Sequence, residues 1–189
     1  MQILTTLRSR GILLGLVFVL SIISFQDASA QRVALKTNAL EYLILSPNLT
    51  LEARLSRKIT AQLGVSCNPM QTDIKGYRLA NYRVEPEVRY WFNRPMAKHF
   101  IALSATAGSY SIEWNYRYYK GDAVAAGISY GYALVLSRHW NVEFELGVGL
   151  VSMSGIEYTD PLRVPEKRNF SKKMPAPIRA AISFGYIFK

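Results

Sequence analysis

The run Asn141-Val142-Glu143-Phe144-Glu145-Leu146-Gly147-Val148-Gly149-Leu150-Val151 decides the fold. Its even-numbered residues are all apolar, and its odd-numbered residues are polar or glycine through Gly149, a period of two that a helix would scramble. The same alternation runs through 82–92, where Tyr82, Val84, Pro86, Val88, Tyr90 and Phe92 oppose Arg83, Glu85, Glu87, Arg89 and Trp91. It returns over 178–188, where Ile178, Ala180, Ile182, Phe184, Tyr186 and Phe188 oppose Arg179, Ala181, Ser183 and Gly185. Weaker versions cover 33–43, 48–55, 59–67, 99–109 and 123–134. A tilted strand crosses hydrocarbon in about nine to eleven residues, and an even number of strands lets an antiparallel sheet close on itself. The eight segments therefore predict an all-β chain folded as an eight-stranded antiparallel up-and-down transmembrane β-barrel.

The connections alternate as such a barrel requires. Residues 56–58, 93–98 and 137–139 are short and basic, whereas 68–81, 110–122 and 152–175 are long. Short periplasmic turns and longer outer loops are the rule for these barrels. Ser46-Pro47 departs from it, a tight connection where an outer loop belongs. Pro86 removes a ladder donor inside a strand, so a bulge is expected near Glu85 to Glu87.

Ahead of these segments stands an address. Arg8 and Arg10 precede an apolar stretch over 11–25, and Ala28-Ser29-Ala30 forms a small-residue cleavage site before Gln31. The expected division is a cleaved signal peptide over 1–30 and the barrel over 31–189, which directs the chain to the outer membrane. No other stretch is long and apolar enough for a membrane helix. Half of the 189 residues are hydrophobic and 12% are aromatic, a composition that excludes disorder. A single cysteine, Cys67, excludes an internal disulfide, and it is expected to face lipid as a small apolar residue.

Charge then assigns the faces. The polar faces of the strands carry Lys36, Arg54, Arg83, Arg89 and Arg179 against Glu52, Glu85, Glu87, Glu143 and Glu145, an equal number of each sign. Charges crowded into a narrow interior must be paired, so this balance fits a closed, charge-networked lumen. The opposite face holds no Lys or Arg, and only Glu41 interrupts it. Most glycines fall on the charged face, where they leave room for long side chains. Without Arg8, Arg10 and Asp27 of the leader the net charge is +9, and it gathers mostly at one rim, on the short turns at Arg57, Lys58, Arg94, Lys98 and Arg138 and at the two ends at Arg32 and Lys189, where anionic headgroups would be attracted. Scattered basic residues in an exported chain without a binding motif argue against nucleic acid. Tyr42, Tyr90, Trp91, Phe92, Trp140, Tyr186 and Phe188 lie at strand ends, as an aromatic girdle would.

Several stretches resemble a small family of outer-membrane β-barrels of unknown function from Bacteroidales-type bacteria, often encoded beside fimbrial genes. They are Val33-Ala34-Leu35-Lys36-Thr37-Asn38, Ser46-Pro47-Asn48-Leu49, Glu85-Pro86-Glu87-Val88-Arg89-Tyr90-Trp91, 127–132, 140–149 and 180–188. The resemblance covers nearly all of the chain after residue 31. It implies a role around fimbria assembly or surface anchoring, and its tight Ser46-Pro47 connection is similar to the one here.

Chemistry is thinly represented. His99 and His139, the only histidines, fall on the short-turn side, away from the outer rim where a lipid A-modifying barrel enzyme would need its base. Serines in the outer loops have no base beside them, and the Glu85/Glu87 and Glu143/Glu145 pairs read as structural ion networks. No catalytic residue, metal site or cofactor is expected. In the outer loops, Tyr116, Tyr118 and Tyr119 are candidates for an interaction patch, and Lys167, Arg168, Lys172 and Lys173 for contact with lipopolysaccharide phosphates or an acidic partner. The expected protein is a non-enzymatic surface or assembly component. Its partners would be membrane lipid, lipopolysaccharide, the barrel-assembly machinery and fimbrial or other surface proteins. A soluble periplasmic barrel around a small apolar ligand is the alternative, and it would turn Val142, Phe144 and Leu146 inward.

Overall fold

The computed structural model describes residues 32–74, 77–114, 117–160, 164–165 and 167–188, with the backbone alone for 69–74, 77–79 and 114. The leader expected over 1–30, and Tyr116, lie outside these residues. Eight strands follow one another: β1 (Val33–Asn38), β2 (Asn48–Arg54), β3 (Ile59–Ile74), β4 (Tyr77–Trp91), β5 (Lys98–Trp114), β6 (Arg117–Val135), β7 (Trp140–Tyr158) and β8 (Phe170–Phe188). Each pairs antiparallel with the next, and β1 closes on β8, Val33 opposite Phe188, to complete an up-and-down barrel. Alternation sets the two faces. On β7, Asn141, Glu143, Glu145 and Gly147 are buried while Phe144, Leu146, Val148 and Leu150 are exposed.

The strands are less equal than the sequence suggests. Most of the stretches expected as long outer loops are strand: β6, β7 and β8 each run 19 residues, about twice what hydrocarbon requires. On the outer face of β7 the apolar row stops at Leu150 and gives way to Ser152 and Ser154; on β6 it stops at Val124 and gives way to Asp122 and Lys120. Beyond that level the paired strands continue as tall hairpins.

β1 and β2 are the short members, and the reason is local. The strand expected over 33–43 ends at Asn38, and a single helical turn, α1 (Ala39–Tyr42), replaces its second half. Asn38 is the N-cap, accepting from the Leu40 amide at 3.1 Å, while its Nδ2 donates to Glu41 at 3.3 Å. The connection is therefore residues 39–47 with a helical turn, and Ser46-Pro47 is only its last step. Glu41 consequently leaves the lipid side and turns toward Arg83, 2.7 Å away.

The asparagines at this junction extend the ladder with side chains. Asn48 accepts from the Asn38 amide (2.7 Å) and donates to the Asn38 carbonyl (2.9 Å), copying the two bonds of a backbone rung. Asn38 in turn accepts from the Ile182 amide (3.1 Å) and donates to the Ala180 carbonyl (3.2 Å), which supplies β8 with one more rung after β1 has ended.

Pro86 does not produce the expected bulge. It pairs in register with Leu63 of β3, and the ladder to β5 merely lapses at residues 85–86 before resuming in the same register. A missing donor interrupts hydrogen bonding without adding a residue, so Arg83 and Glu85 keep their inward direction. Register shifts occur instead between Asn68 and Thr72 of β3, and at Gly147/Val148 against β8. The second turns Ile178 inward, against the outward direction read from the sequence. A Cβ on Gly127 or Gly149 would collide with the Ile178 Cδ1 and with the facing strand.

Candidate functional site

The lumen is layered. The end with the short turns is plugged by apolar side chains: Trp91, Phe100, Ala102 and Ala133 form one buried cluster, and Ala34, Met96 and Ile187 another. Met96 reaches the second cluster because the β4–β5 connection folds beneath the barrel with a left-handed Met96, φ 63°. Trp91, assigned to the girdle from its place at a strand end, is instead fully buried, with its indole N–H donating to Thr60 at 2.9 Å. Its odd-numbered position beside Arg83 to Arg89 already carries that inward signal. Gly131 is required here, since a side chain would strike the Phe100 ring.

Above the plug lies the charge network. The Arg89 guanidinium sits over the Phe100 ring, 4.3 Å from its centroid, and reaches carboxylates on three strands. Its Nη1 is 2.7 Å from Glu143, its Nη2 is 2.7 Å from Glu145, its Nε binds Glu87, and Glu52 stands 3.5 Å away. Lys36 bridges Glu52 and Glu143, the latter at 2.7 Å. Arg179 joins Glu85, Glu145 and Glu87, and Arg83 links Glu85 to Glu41 at the mouth. Neutral donors add further bonds, Gln62 to Glu87 at 3.0 Å, Asn141 to Glu143 at 2.9 Å, and Ser129 to Glu145, while Glu52 Oε1 has no hydrogen-bond partner among the described residues. Arg89, Glu52 and Glu143 are at most 1% exposed.

Nine of the ten charges expected in the lumen are brought together, and the tenth is not. Arg54 is half-buried at the end of β2, where its Nε donates to the Ser56 carbonyl at 3.1 Å. With Arg54 out and Glu41 in, the described network has Lys36, Arg83, Arg89 and Arg179 against six carboxylates, in place of the equal numbers read from the sequence. The missed participant had a signal: Asn38 followed three residues later by Glu41 is the spacing of a capped helix start.

The candidate outer-loop residues occupy strand and tip positions, and they do not form one patch. Tyr118 and Tyr119 are neighbours on β6 and point to opposite faces. Tyr118 stacks on Tyr158 at 5.1 Å, while Tyr119 packs edge-on against Phe170 and donates to Glu157 at 3.1 Å. Lys167 and Arg168 precede β8; Arg168 pairs with Asp122 at 2.6 Å across the outer side of the hairpins. Lys172 and Lys173 lie on β8 itself, again on opposite faces.

The chain matches, over residues 16–188, the family described as "Protein of unknown function (DUF3575)". The chain belongs to the DUF3575 family. No curated protein matches it. The NMR solution structure of the E. coli outer membrane protein W is similar at 10% identity, with a TM-score of 0.40, over 85% of this chain and all of that one.

The short-turn rim of this DUF3575 protein carries Arg32, Arg54, Arg57, Lys58, Arg94, Lys98 and Arg138, and among the described residues no carboxylate lies there. Just inside that rim, the outer wall is ringed by aromatics. Tyr186 packs against Trp140 at 5.1 Å and Phe188 at 5.0 Å, Tyr90 against Phe92 at 5.9 Å, and His99 is hydrogen-bonded to Tyr130 at 2.6 Å. His139 stacks on Tyr186. Both histidines thus belong to this ring. Cys67 is exposed.

Proposed function

We propose that the protein is an integral outer-membrane barrel, exported by a cleaved leader and inserted by the barrel-assembly machinery, that serves at the cell surface as a non-enzymatic structural or assembly component. The observation that carries this reading is the division between its two faces. The outer wall presents Leu146 at 73% exposure and Leu103 at 66%, a surface that water would not tolerate over so many strands. The inner wall at the same height is charged, paired and closed. Aromatic side chains ring the wall near the short turns, at the level of the headgroup region. The soluble alternative requires the reverse register, with Val142, Phe144 and Leu146 inward, and the exposure of Phe144 and Leu146 speaks against it.

The plug and the network also bear on the activity. An eight-stranded barrel is just wide enough to be filled by its own side chains, so bulk transport is disfavoured. A surface role then falls to the tall hairpins, with lipopolysaccharide beside them and fimbrial or other surface proteins as the partners suggested by the family resemblance. The test is fractionation of the native cells followed by gel mobility with and without boiling. The expected result is an outer-membrane protein whose unboiled band runs faster, and a photo-crosslinker at Tyr118 that captures a fimbrial subunit. A soluble periplasmic protein without a heat shift overturns the membrane reading; an intact barrel that captures no surface protein overturns the assembly role.

A further inference from the structure

The two faces of β6, β7 and β8 exchange character halfway along their length. Toward the short turns the outer face is apolar and the inner face charged. Past Val124 and Leu150 the outer face carries Lys120, Asp122, Ser152, Ser154 and Lys173; the inner face is apolar from Ile178 and Ala176 up through Ala125, Val151, Ala123 and Met153, with Tyr119 and Glu157 nearer the tips. Register is unbroken between β6 and β7 from Tyr118 to Val135, so this is one continuous sheet with inverted polarity and no twist to the opposite side. The sheet below is built for lipid outside and the sheet above for an apolar content inside.

Opposite that upper inner face β3, β4 and β5 continue, with Asn81 and Tyr110 on their inward rows, but β1 and β2 do not. β1 covers β8 only from Ser183 onward, and β2 covers β3 only up to Ser66. The connection between them adds one rung on each side: Asn38 serves Ala180 and Ile182, and the Cys67 amide donates to the Pro47 carbonyl at 3.1 Å. Above it, no hydrogen-bonded pairing joins β3 to β8 among the described residues. The result is a trough with a gap two strands wide. Along the lower edge of that gap, Leu43 is 75% exposed and Leu45 53%, which extends the apolar outer surface of Leu49 and Leu51 toward the opening. The facing glycines Gly127 and Gly149 keep the floor of the trough low.

We propose that this trough binds one long-chain carboxylate, a fatty-acid-like amphiphile, which enters sideways from the outer leaflet through the gap above β1 and β2. Its alkyl chain lies along Ala125, Val151 and Ala176, a lining of small side chains that leaves room for it. Its carboxylate points toward Lys172, the charged residue on the inner row of β8 beyond Ile178. Continuity with the lipid-facing surface selects a membrane-borne ligand; Arg117 is paired with Glu157 and Arg83 with Glu41, so Lys172 is the inward cation left to select an anionic head on an apolar tail. The proposal rests on the membrane reading above.

The test uses the full chain in phosphatidylcholine nanodiscs with a diazirine-bearing palmitate, photolysed and mapped by peptide mass spectrometry. Adducts are expected on outward residues such as Leu146 and Val148, from probe dissolved in the bilayer, and also on inward Val151 and Met153. Ala125→Trp, or Met153→Trp if the first variant loses its heat-modifiable band, removes the inward adducts and leaves the outward ones as an internal control. The methyl ester of the probe and Lys172→Glu both reduce inward labelling. Outward adducts alone, or inward adducts indifferent to the tryptophan, overturn the trough site; equal inward labelling by acid and ester overturns the carboxylate assignment. Absence of outward adducts overturns the membrane reading itself.

Discussion

Arg89 stands among Glu52, Glu87, Glu143 and Glu145, and its removal leaves buried carboxylates facing one another. Breaking a buried ion pair from one side costs about 3–5 kcal/mol, because the remaining charge is neither solvated nor compensated. Arg89→Ala is therefore expected to lower the urea midpoint of the folded, heat-modifiable band severely or to abolish folding. Glu52→Gln should cost far less, since the described network holds more carboxylates than cations and Lys36 keeps Glu143. Equal losses in the two variants would contradict the arrangement. At this scale the sequence was legible wherever alternation was regular, which is why Lys36, Arg89, Glu143 and Glu145 could be assigned to one lumen. It misleads at Arg54 and Glu41, where direction depends on how a strand ends, and at Trp91, where position on the alternating row and not residue type sets the direction.

The elements differ in how they end, and asparagine side chains decide the shortest ones. Asn38 completes a backbone-like rung on β8 and caps α1 at once, so Asn38→Ala leaves the Ala180 carbonyl and Ile182 amide without that partner. A hydrogen bond contributes about 0.5–1.5 kcal/mol net, and an orphaned group costs more. The expected outcome is a loss of about 1–3 kcal/mol in stability together with faster amide exchange at Ile182, read by denaturant titration and hydrogen exchange. Unchanged exchange at Ile182 would show that the rung carries no load. Strand existence and order were readable from period two, but strand length was not. The hairpin segments of β6 to β8 resemble loops in the sequence because their alternation carries the opposite polarity, apolar inward and polar outward, so the lipid-facing pattern breaks off at Val124 and Leu150 even though the strands continue. The proline in β4 adds no residue to the strand: it removes one donor on the β5 side, and the β3 ladder holds the register.

As a whole the molecule is a barrel closed at the short-turn end by Trp91, Phe100 and Met96 and filled above them by ions. Planar bilayers containing it are expected to show no stable ion conductance, and Trp91→Ala alone should not create one, because the Arg89 network still blocks the path. A steady open channel in the unmodified protein would contradict the closed lumen. The central claim is that Leu146 and its row meet lipid while Glu145 and its row meet one another. It is tested most directly with Leu146→Cys in a Cys67→Ser background, labelled with an environment-sensitive fluorophore and reconstituted in vesicles containing brominated lipid. The account predicts ready labelling, blue-shifted emission and strong quenching by the bromines. A cysteine at 146 that resists labelling in the folded protein, or a label that bromolipid does not quench, would place this row inside and contradict it.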